Sequence, residues 1–574
     1  MAVPITVTNR TPELSDCADA WFLDENYDCW CLEDLLYTMK ATNPAYQRLS
    51  IYVPHAYMAE GGRILPDGKC GAYTAKTAPI VMRNTGAGYL QIPHGWLGGP
   101  SDDGPQFLEK GMVYVTCGAR GRDSVDKNGV LCGKSPIELV DLKTAIRFLR
   151  HNAAAIPGNL ERIITNGLSA GGAMSVLLGV SGNAPEYGEY LERNGAFMDE
   201  SDAVFASQVY CPIVDLDHAD QAYEWQFIKD PENEASMAGP AGTMTPFQAA
   251  LSQKLSDAFI LYFNNMKLKN PQTGEILEIG ADGRSGSGYA YLMQCLEDAA
   301  SKYLRMLDSK TAGVSFSAAD YISGNHTYLT EGMPDPPGGA KEETSVTHFL
   351  GDDVDMPQEQ GNIAGGPPSL GEMMLRPPKG TPAVSRTPQI IETPGDDKTA
   401  WLGWDGVRAS ISSLDDYLAA HRRRQRPCPA FDQFQTDACP EGQLFGCAQQ
   451  DYMHFNPDIA AMVAELKEEF PAEYEKYYPQ YQAVVGDDAL ARRRALLNPL
   501  TFAGRADCEQ AKHFRFRVGA QDADTGFMIA LMLALKLSEG SADVDYALVW
   551  DKPHCMADYP GELTAWMEKI TSQV

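Results

Sequence analysis

Apolar and polar positions along this chain predict strands that alternate with helices at both ends and a long helical stretch between. Residues 48–54 (Arg-Leu-Ser-Ile-Tyr-Val-Pro) alternate as an edge or antiparallel strand does. Ala78-Pro79-Ile80-Val81-Met82 and Gly111–Thr116 are short apolar runs of the buried-strand kind. Between Pro136 and His151, Leu139, Leu142, Ile146 and Leu149 share one face at helical spacing. A β-branched run, Ile163-Ile164-Thr165, leads into a small-residue turn and then an apolar helix, and Ala203–Tyr210 reads as a further strand. From about 215 the pattern changes. Helical spacing is clear at Leu292, Leu296, Ala299 and Tyr303 and again from Ile459 to Phe470. Residues 330–400, rich in Pro, Gly, Asp and Thr, lack periodicity and read as an irregular insertion. Alternation resumes at His513–Val518, followed by a helix Phe527–Lys536, a strand Val544–Trp550 and a terminal helix from Gly561. Such alternation predicts an α/β protein with a mostly parallel sheet.

The turn after Ile163-Ile164-Thr165-Asn166 is Gly167-Leu168-Ser169-Ala170-Gly171, a G-x-S-x-G in the strand–turn–helix context of a nucleophile elbow. Gly167 and Gly171 remove side chains that would collide with strand and helix, and Ser169 projects over a helix N-terminus that favours negative charge. The Ala170 N–H is the first oxyanion donor. The loop 85–88 after the early strand, with Gly86, is expected to supply the second. Acidic residues in Asp522-Ala523-Asp524 follow a late strand, and His554 follows the last one. That is the chain order Ser…Asp…His of an α/β-hydrolase fold, with spacing unable to choose between Asp522 and Asp524. The chain then divides into a first part of the hydrolase core (1–214), an inserted, mainly helical lid domain (215–499) and a second part of the core (500–574). Ten histidines are present, of which His218 and His454 are the main rivals of His554. The chemistry expected is two-step acyl transfer. Ser169 attacks an ester, His554 moves the proton and the acid fixes the imidazole tautomer, with no metal or cofactor.

Composition narrows the partners. A net charge of −30 over 574 residues argues against nucleic acid and anionic membranes. The basic runs Arg422-Arg423-Arg424 with Arg426 and Arg492-Arg493-Arg494 are short and read as solvated helix faces or ends. No basic, apolar leader starts the chain and no run approaches the roughly 20 apolar residues of a membrane span, so a cytoplasmic protein is expected. Thirteen cysteines without metal spacing read as free buried thiols, with a disulfide among Cys428, Cys439 and Cys447 as the alternative.

Several strings together resemble the bacterial tannases of the short, intracellular kind, serine esterases that hydrolyse galloyl esters. They include Gly118-Ala119-Arg120-Gly121-Arg122, the elbow, Tyr210-Cys211-Pro212-Ile213, Ala222-Tyr223-Glu224-Trp225-Gln226-Phe227, Pro429-Ala430-Phe431-Asp432-Gln433, Asp522-Ala523-Asp524-Thr525 and Trp550-Asp551 with His554. The resemblance implies that Asp522 is the triad acid and that Asp524 holds a ring hydroxyl. It also implies that Glu441 holds another. Where the family has a lysine before the Pro-Ala-Phe-Asp string, this chain has Arg426, and one extra residue separates the two. Arginine's longer fork donates with different geometry, so ring selectivity is open. The alternatives are a hydroxycinnamoyl (feruloyl or chlorogenate) esterase or broader arylesterase, and a non-catalytic binding protein on the same scaffold. As the plainer alternative, Arg426 and Glu441 simply pair with each other. The expected partner is a small phenolic ester.

Overall fold

Nine strands form one sheet, and six of them run parallel. In chain order they are β1 (Phe22–Asp24), β2 (Cys29–Leu36), β3 (Arg48–Pro54), β4 (Ile80–Asn84), β5 (Val113–Cys117), β6 (Ile163–Leu168), β7 (Ala206–Tyr210), β8 (His513–Gly519) and β9 (Asp543–Val549). Their order across the sheet is β1-β2-β3-β5-β4-β6-β7-β8-β9. The first three strands pair antiparallel, as do β3 and β5; every later pair is parallel. The chain is seen in a computed structural model that describes residues 13–572 except 85, 100–101, 235, 237–240, 312–316, 324, 331–388, 395–400 and 422–423. Among the described residues no helix is long and apolar enough to cross a membrane.

Residues 48–54 are antiparallel as expected, but they do not lie at the edge. The hairpin of β1 and β2 covers β3, which explains why six of its seven residues are buried. Helix α1 (Gly104–Glu109) precedes β5, and the helix after β5, α2 (Ile137–His151), is buried all round from Glu138 to Leu149 rather than on one face. Helix α2 packs against the helix that follows β6, Ala170–Val180, and against the helix Gly188–Asn194, and its polar side chains are matched inside. Asp141 receives Arg120 at 2.7 Å, and Lys143 and Arg147 share Asp202 at 2.8 and 2.7 Å. Helix α3 (Ala170–Val180) follows the elbow and is buried along its whole length.

Within 215–499, Ala219–Gln226 packs on Pro246–Met266. Phe247, Leu251, Leu255, Cys428, Ile459, Ala460, Val463, Leu466 and Tyr481 make a small second core drawn only from this stretch. Helix Gly286–Asp308 instead packs on β9 and joins the main core through Leu292, Leu296 and Tyr303. The expected helix from Ile459 to Phe470 is Asp458–Glu465, and a second helix begins at Pro471, whose fixed φ suits a first helical position. Most of the expected irregular stretch 330–400 lies outside the described residues. Gln389–Pro394 within it is a strand, paired with Asn325–Thr330. None of the thirteen cysteines is joined in a disulfide.

Of the basic run near 424, Arg422 and Arg423 lie outside the described residues, and Arg424 and Arg426 are not a solvated face. Arg424 is fully buried, hydrogen-bonded to Glu224 and to the Arg426 carbonyl, and Arg426 is buried beside it. A buried guanidinium needs carboxylates or carbonyls for its protons, which Glu224 and the Arg426 carbonyl offer Arg424 and the Asp524 and Ala430 carbonyls offer Arg426. Arg494 pairs with Asp217 and is half-buried.

The parallel strands end so close together that several glycines are obligatory. A Cβ on Gly172 would lie 2.5 Å from the Tyr210 carbonyl oxygen. Gly172→Ala is expected to destabilise the protein by about 2 kcal/mol, whereas Gly188→Ala, where a Cβ meets nothing within 4 Å, is expected to be neutral or slightly stabilising. Chemical denaturation of the two variants checks this, and equal midpoints would count against it.

Candidate active site

Ser169 sits at the junction of β6 and α3 with φ 61° and ψ −122°, a conformation that is strained for a residue with a side chain. Three hydrogen bonds fix its backbone. Its N–H donates to the Tyr210 carbonyl (3.0 Å), and its carbonyl accepts from Ala173 N–H (3.0 Å) and Ile213 N–H (3.3 Å). The turn closes only because its neighbours lack Cβ atoms. One on Gly167 would lie 2.2 Å from the Gly171 carbonyl oxygen, and one on Gly171 would lie 2.4 Å from that of Asn84. Ala170 is the first residue of α3, so its N–H has no acceptor within the helix. Gly86 lies beside it, with its carbonyl accepting from Gly171 N–H at 3.2 Å. Thr85, in the same expected oxyanion loop, lies outside the described residues.

The loop after β8 and the loop after β9 meet at His554. Its Nδ1 is 3.0 Å from Asp522 Oδ2 and 3.8 Å from Asp524 Oδ2. Asp522 is fully buried and also accepts the Asp524 N–H at 2.9 Å, while the Asp524 side chain is partly open. Geometry therefore separates the two acids that spacing left equivalent. His218 and His454 are committed elsewhere. His218 stacks on Tyr262 and contacts Asp215 at 3.0 Å, and His454 contacts Asp432 at 2.7 Å and packs against Tyr481.

From Asp524 the polar groups continue into the inserted stretch. Arg426 Nε donates to the Asp524 carbonyl (2.8 Å), its Nη1 lies 3.7 Å from Glu441 Oε2, and its guanidinium covers the Phe431 ring at 4.2 Å. Arg426 and Glu441 do approach each other, but beyond hydrogen-bond distance, and Glu441 Oε2 is a buried oxygen without a hydrogen-bond partner. Two residues that the sequence did not single out as site members hold this arrangement. The Tyr223 hydroxyl donates to the Ala523 carbonyl (2.8 Å) and accepts from the N–H groups of Gln425 and Arg426 (3.0 Å each). Cys211, at φ 39°, places its Sγ 3.3 Å from the Cys555 carbonyl oxygen and 3.4 Å from Gly519 N. Both lie in strings quoted above, the only sequence signal they carry. Cys211, Asp522 and His554 each offer one donor atom, all within 4.8 Å of one another, the one group among the described residues close enough to hold a metal. Two of those donors are already bonded to each other.

A family profile described as BD-FAE matches residues 124–250, the stretch that holds the elbow. The fold matches the tannin acyl hydrolase from Lactobacillus plantarum with a TM-score of 0.69 at 28% identity, over 95% of this chain and 94% of that one. A tannin acyl hydrolase in complex with ethyl gallate matches with the same values. The Fusobacterium nucleatum tannase matches with a TM-score of 0.68 at 24% identity, over 95% of each chain. The sequence matches none of the curated proteins. The chain is a tannase-like esterase.

Charge at the esterase's histidine follows from this geometry. Burial disfavours imidazolium, but Asp522, and after it Asp524, outweigh burial and push the His554 pKa up to about 9. Burial likewise opposes the Asp522 charge, yet His554, the Asp524 N–H and the Cys211 thiol hold its pKa below the usual carboxylate value. Imidazole accepts a proton only when neutral, so with His554 as the general base kcat/KM of the free enzyme should rise with pH up to and through about 9. Asp524→Asn removes one of the two raising charges and should move that limb toward neutrality. Phenyl acetate, which lacks ring hydroxyls, is the substrate for the comparison. An unmoved limb would mean that Asp524 does not act on His554.

Proposed function

We propose that the protein is a serine esterase that hydrolyses galloyl esters to gallic acid and an alcohol through an acyl-enzyme. Ser169 Oγ attacks the ester carbonyl, His554 takes its proton through Nε2 and returns it to the leaving alcohol, and Asp522 holds Nδ1–H. The backbone N–H groups of Ala170 and Gly86 receive the charge on the carbonyl oxygen. Water then repeats the sequence on the acyl-enzyme. In this reading residues 215–499 form a lid domain between two parts of the hydrolase core, 1–214 and 500–574. The lid brings Glu441 and Arg426 to the ring of the substrate, and Asp524 reaches the same ring from the core.

One observation carries the substrate class. The buried, unpartnered oxygen of Glu441 is linked through Arg426 and Asp524 to the histidine itself. An acceptor without a donor is costly inside a protein, and a phenolic hydroxyl supplies the donor. The tannin acyl hydrolase that matches this fold holds ethyl gallate in one structure and 3,4-dihydroxybenzoate in another. Arg426 keeps the second reading alive. With its protons directed to the carbonyls of Asp524 and Ala430, it offers the ring less than a free ammonium does, which would favour a broader arylesterase.

The two readings separate on kcat/KM for methyl gallate, methyl ferulate and methyl benzoate. Gallate is expected to exceed benzoate by roughly 10³-fold or more, since a site built for hydroxyls leaves its acceptors unpaired against an analogue without them. Glu441→Ala should erase most of that margin and leave the benzoate rate nearly unchanged. Ser169→Ala should abolish turnover of all three. Comparable rates on the three esters would discard the galloyl assignment and leave a general arylesterase.

A further inference from the structure

Glu138 is the acidic residue in the first turn of α2. In the structure it is 4% exposed and its Oε2 is buried without a hydrogen-bond partner. Its other oxygen lies against Gly86. A Cβ built on Gly86 would sit 2.8 Å from Glu138 Oε1 and 2.9 Å from the Gly171 nitrogen. The carboxyl group, the proposed oxyanion turn and the first turn of α3 therefore meet at one point, where Gly86 also accepts from Gly171 N–H.

We propose that Glu138 is a positioning residue of the oxyanion hole, its carboxyl group seating the Gly86 turn on the first turn of α3. It does this as the neutral acid. A carboxylate there would place a full negative charge beside donors that must receive an oxyanion, in surroundings that screen it poorly. Burial, reinforced by Asp141 on its own helix and Asp123 on the loop after β5, raises the Glu138 pKa well above its ordinary value. Tyr89, which faces it from the oxyanion loop, is neutral by the same burial. The cations of the surrounding elements are engaged elsewhere. Arg120 is on Asp141 at 2.7 Å, Arg122 on the Gly88 carbonyl at 2.7 Å, and Lys134 on the Arg122 and Gln443 carbonyls at 2.8 Å each. Arg426, across the site, faces Glu441.

The inference rests on the serine-esterase reading, and its test keeps the two apart. Wild type, Glu138→Ala and Glu138→Gln are compared for kcat and KM on phenyl acetate from pH 6 to 11, with labelling of Ser169 by a fluorophosphonate as the check of a folded site. A wild type that neither labels nor turns over sinks the esterase reading itself. With an active wild type, Glu138→Ala is expected to lose on the order of 10- to 100-fold in kcat with little change in KM. Glu138→Gln, the same shape without the acid, is expected to recover most of that loss. Wild-type kcat should fall on the alkaline side as Glu138 ionises, and Glu138→Gln should lack that fall. An alkaline fall identical in wild type and Glu138→Gln overturns the inference, as does a Glu138→Ala enzyme with wild-type kcat. If Glu138→Ala does not fold, the pH profile of Glu138→Gln against wild type decides alone.

Discussion

Everything at this site depends on how closely three chain segments approach where the central strands end. The Asn84 carbonyl after β4, the Gly167–Gly172 turn after β6 and the Tyr210 carbonyl at the end of β7 lie within a few ångströms, with no room for a Cβ at Gly167, Gly171 or Gly172. That closeness holds Ser169 in a strained conformation, because its N–H and carbonyl are claimed by Tyr210, Ala173 and Ile213. Strain of this sort costs about 1–3 kcal/mol and survives only when the surroundings over-determine it. Here they consist of a sheet buried on both faces and a helix without an exposed residue.

A second coupling joins the insertion to the acid loop, and it runs through one phenol. Tyr223 bonds to Ala523, between the two aspartates, and to the backbone of Gln425 and Arg426. Arg426 returns the contact by bonding to the Asp524 carbonyl. A shift of the 424–426 segment is therefore transmitted to the loop that orients His554. The buried Arg424–Glu224 pair beneath Tyr223 resists such a shift, since parting two buried charges is costly.

The sheet was legible because buried strands and crossover helices leave strong periodicities, and Ser169 because a tight turn admits few residues. Position after the last strand singled out His554, and contact with Asp522 needs only that the two late loops be neighbours. Other features were hidden for physical reasons. Asp522 and Asp524 lie in one short loop and differ by which side chain is buried, which no spacing encodes. Glu138 and Arg424 carry charges that favour water on any sequence scale, and only the fold reveals the carbonyls and acids around them. The one-faced reading of α2 failed likewise. Asp141, Lys143 and Arg147 look like a solvated stripe until their partners Arg120 and Asp202 arrive from elsewhere in the chain.

Under the proposed function, Asp524 is the residue at which binding and chemistry meet. Its carboxylate lies 3.8 Å from His554 Nδ1 and contributes to the pull that favours imidazolium. It is also the partly open acid at the edge of the site, placed to accept a hydrogen bond. A hydroxyl donated to Asp524 takes up part of its charge, so any ligand that binds there weakens the hold on imidazolium and releases the neutral base. By linkage, an ester that engages Asp524 binds more tightly to the enzyme with neutral His554 than to the protonated one. Under the galloyl reading the substrate's own ring thus prepares the base that attacks its ester. An ester without that hydroxyl must find the base already neutral.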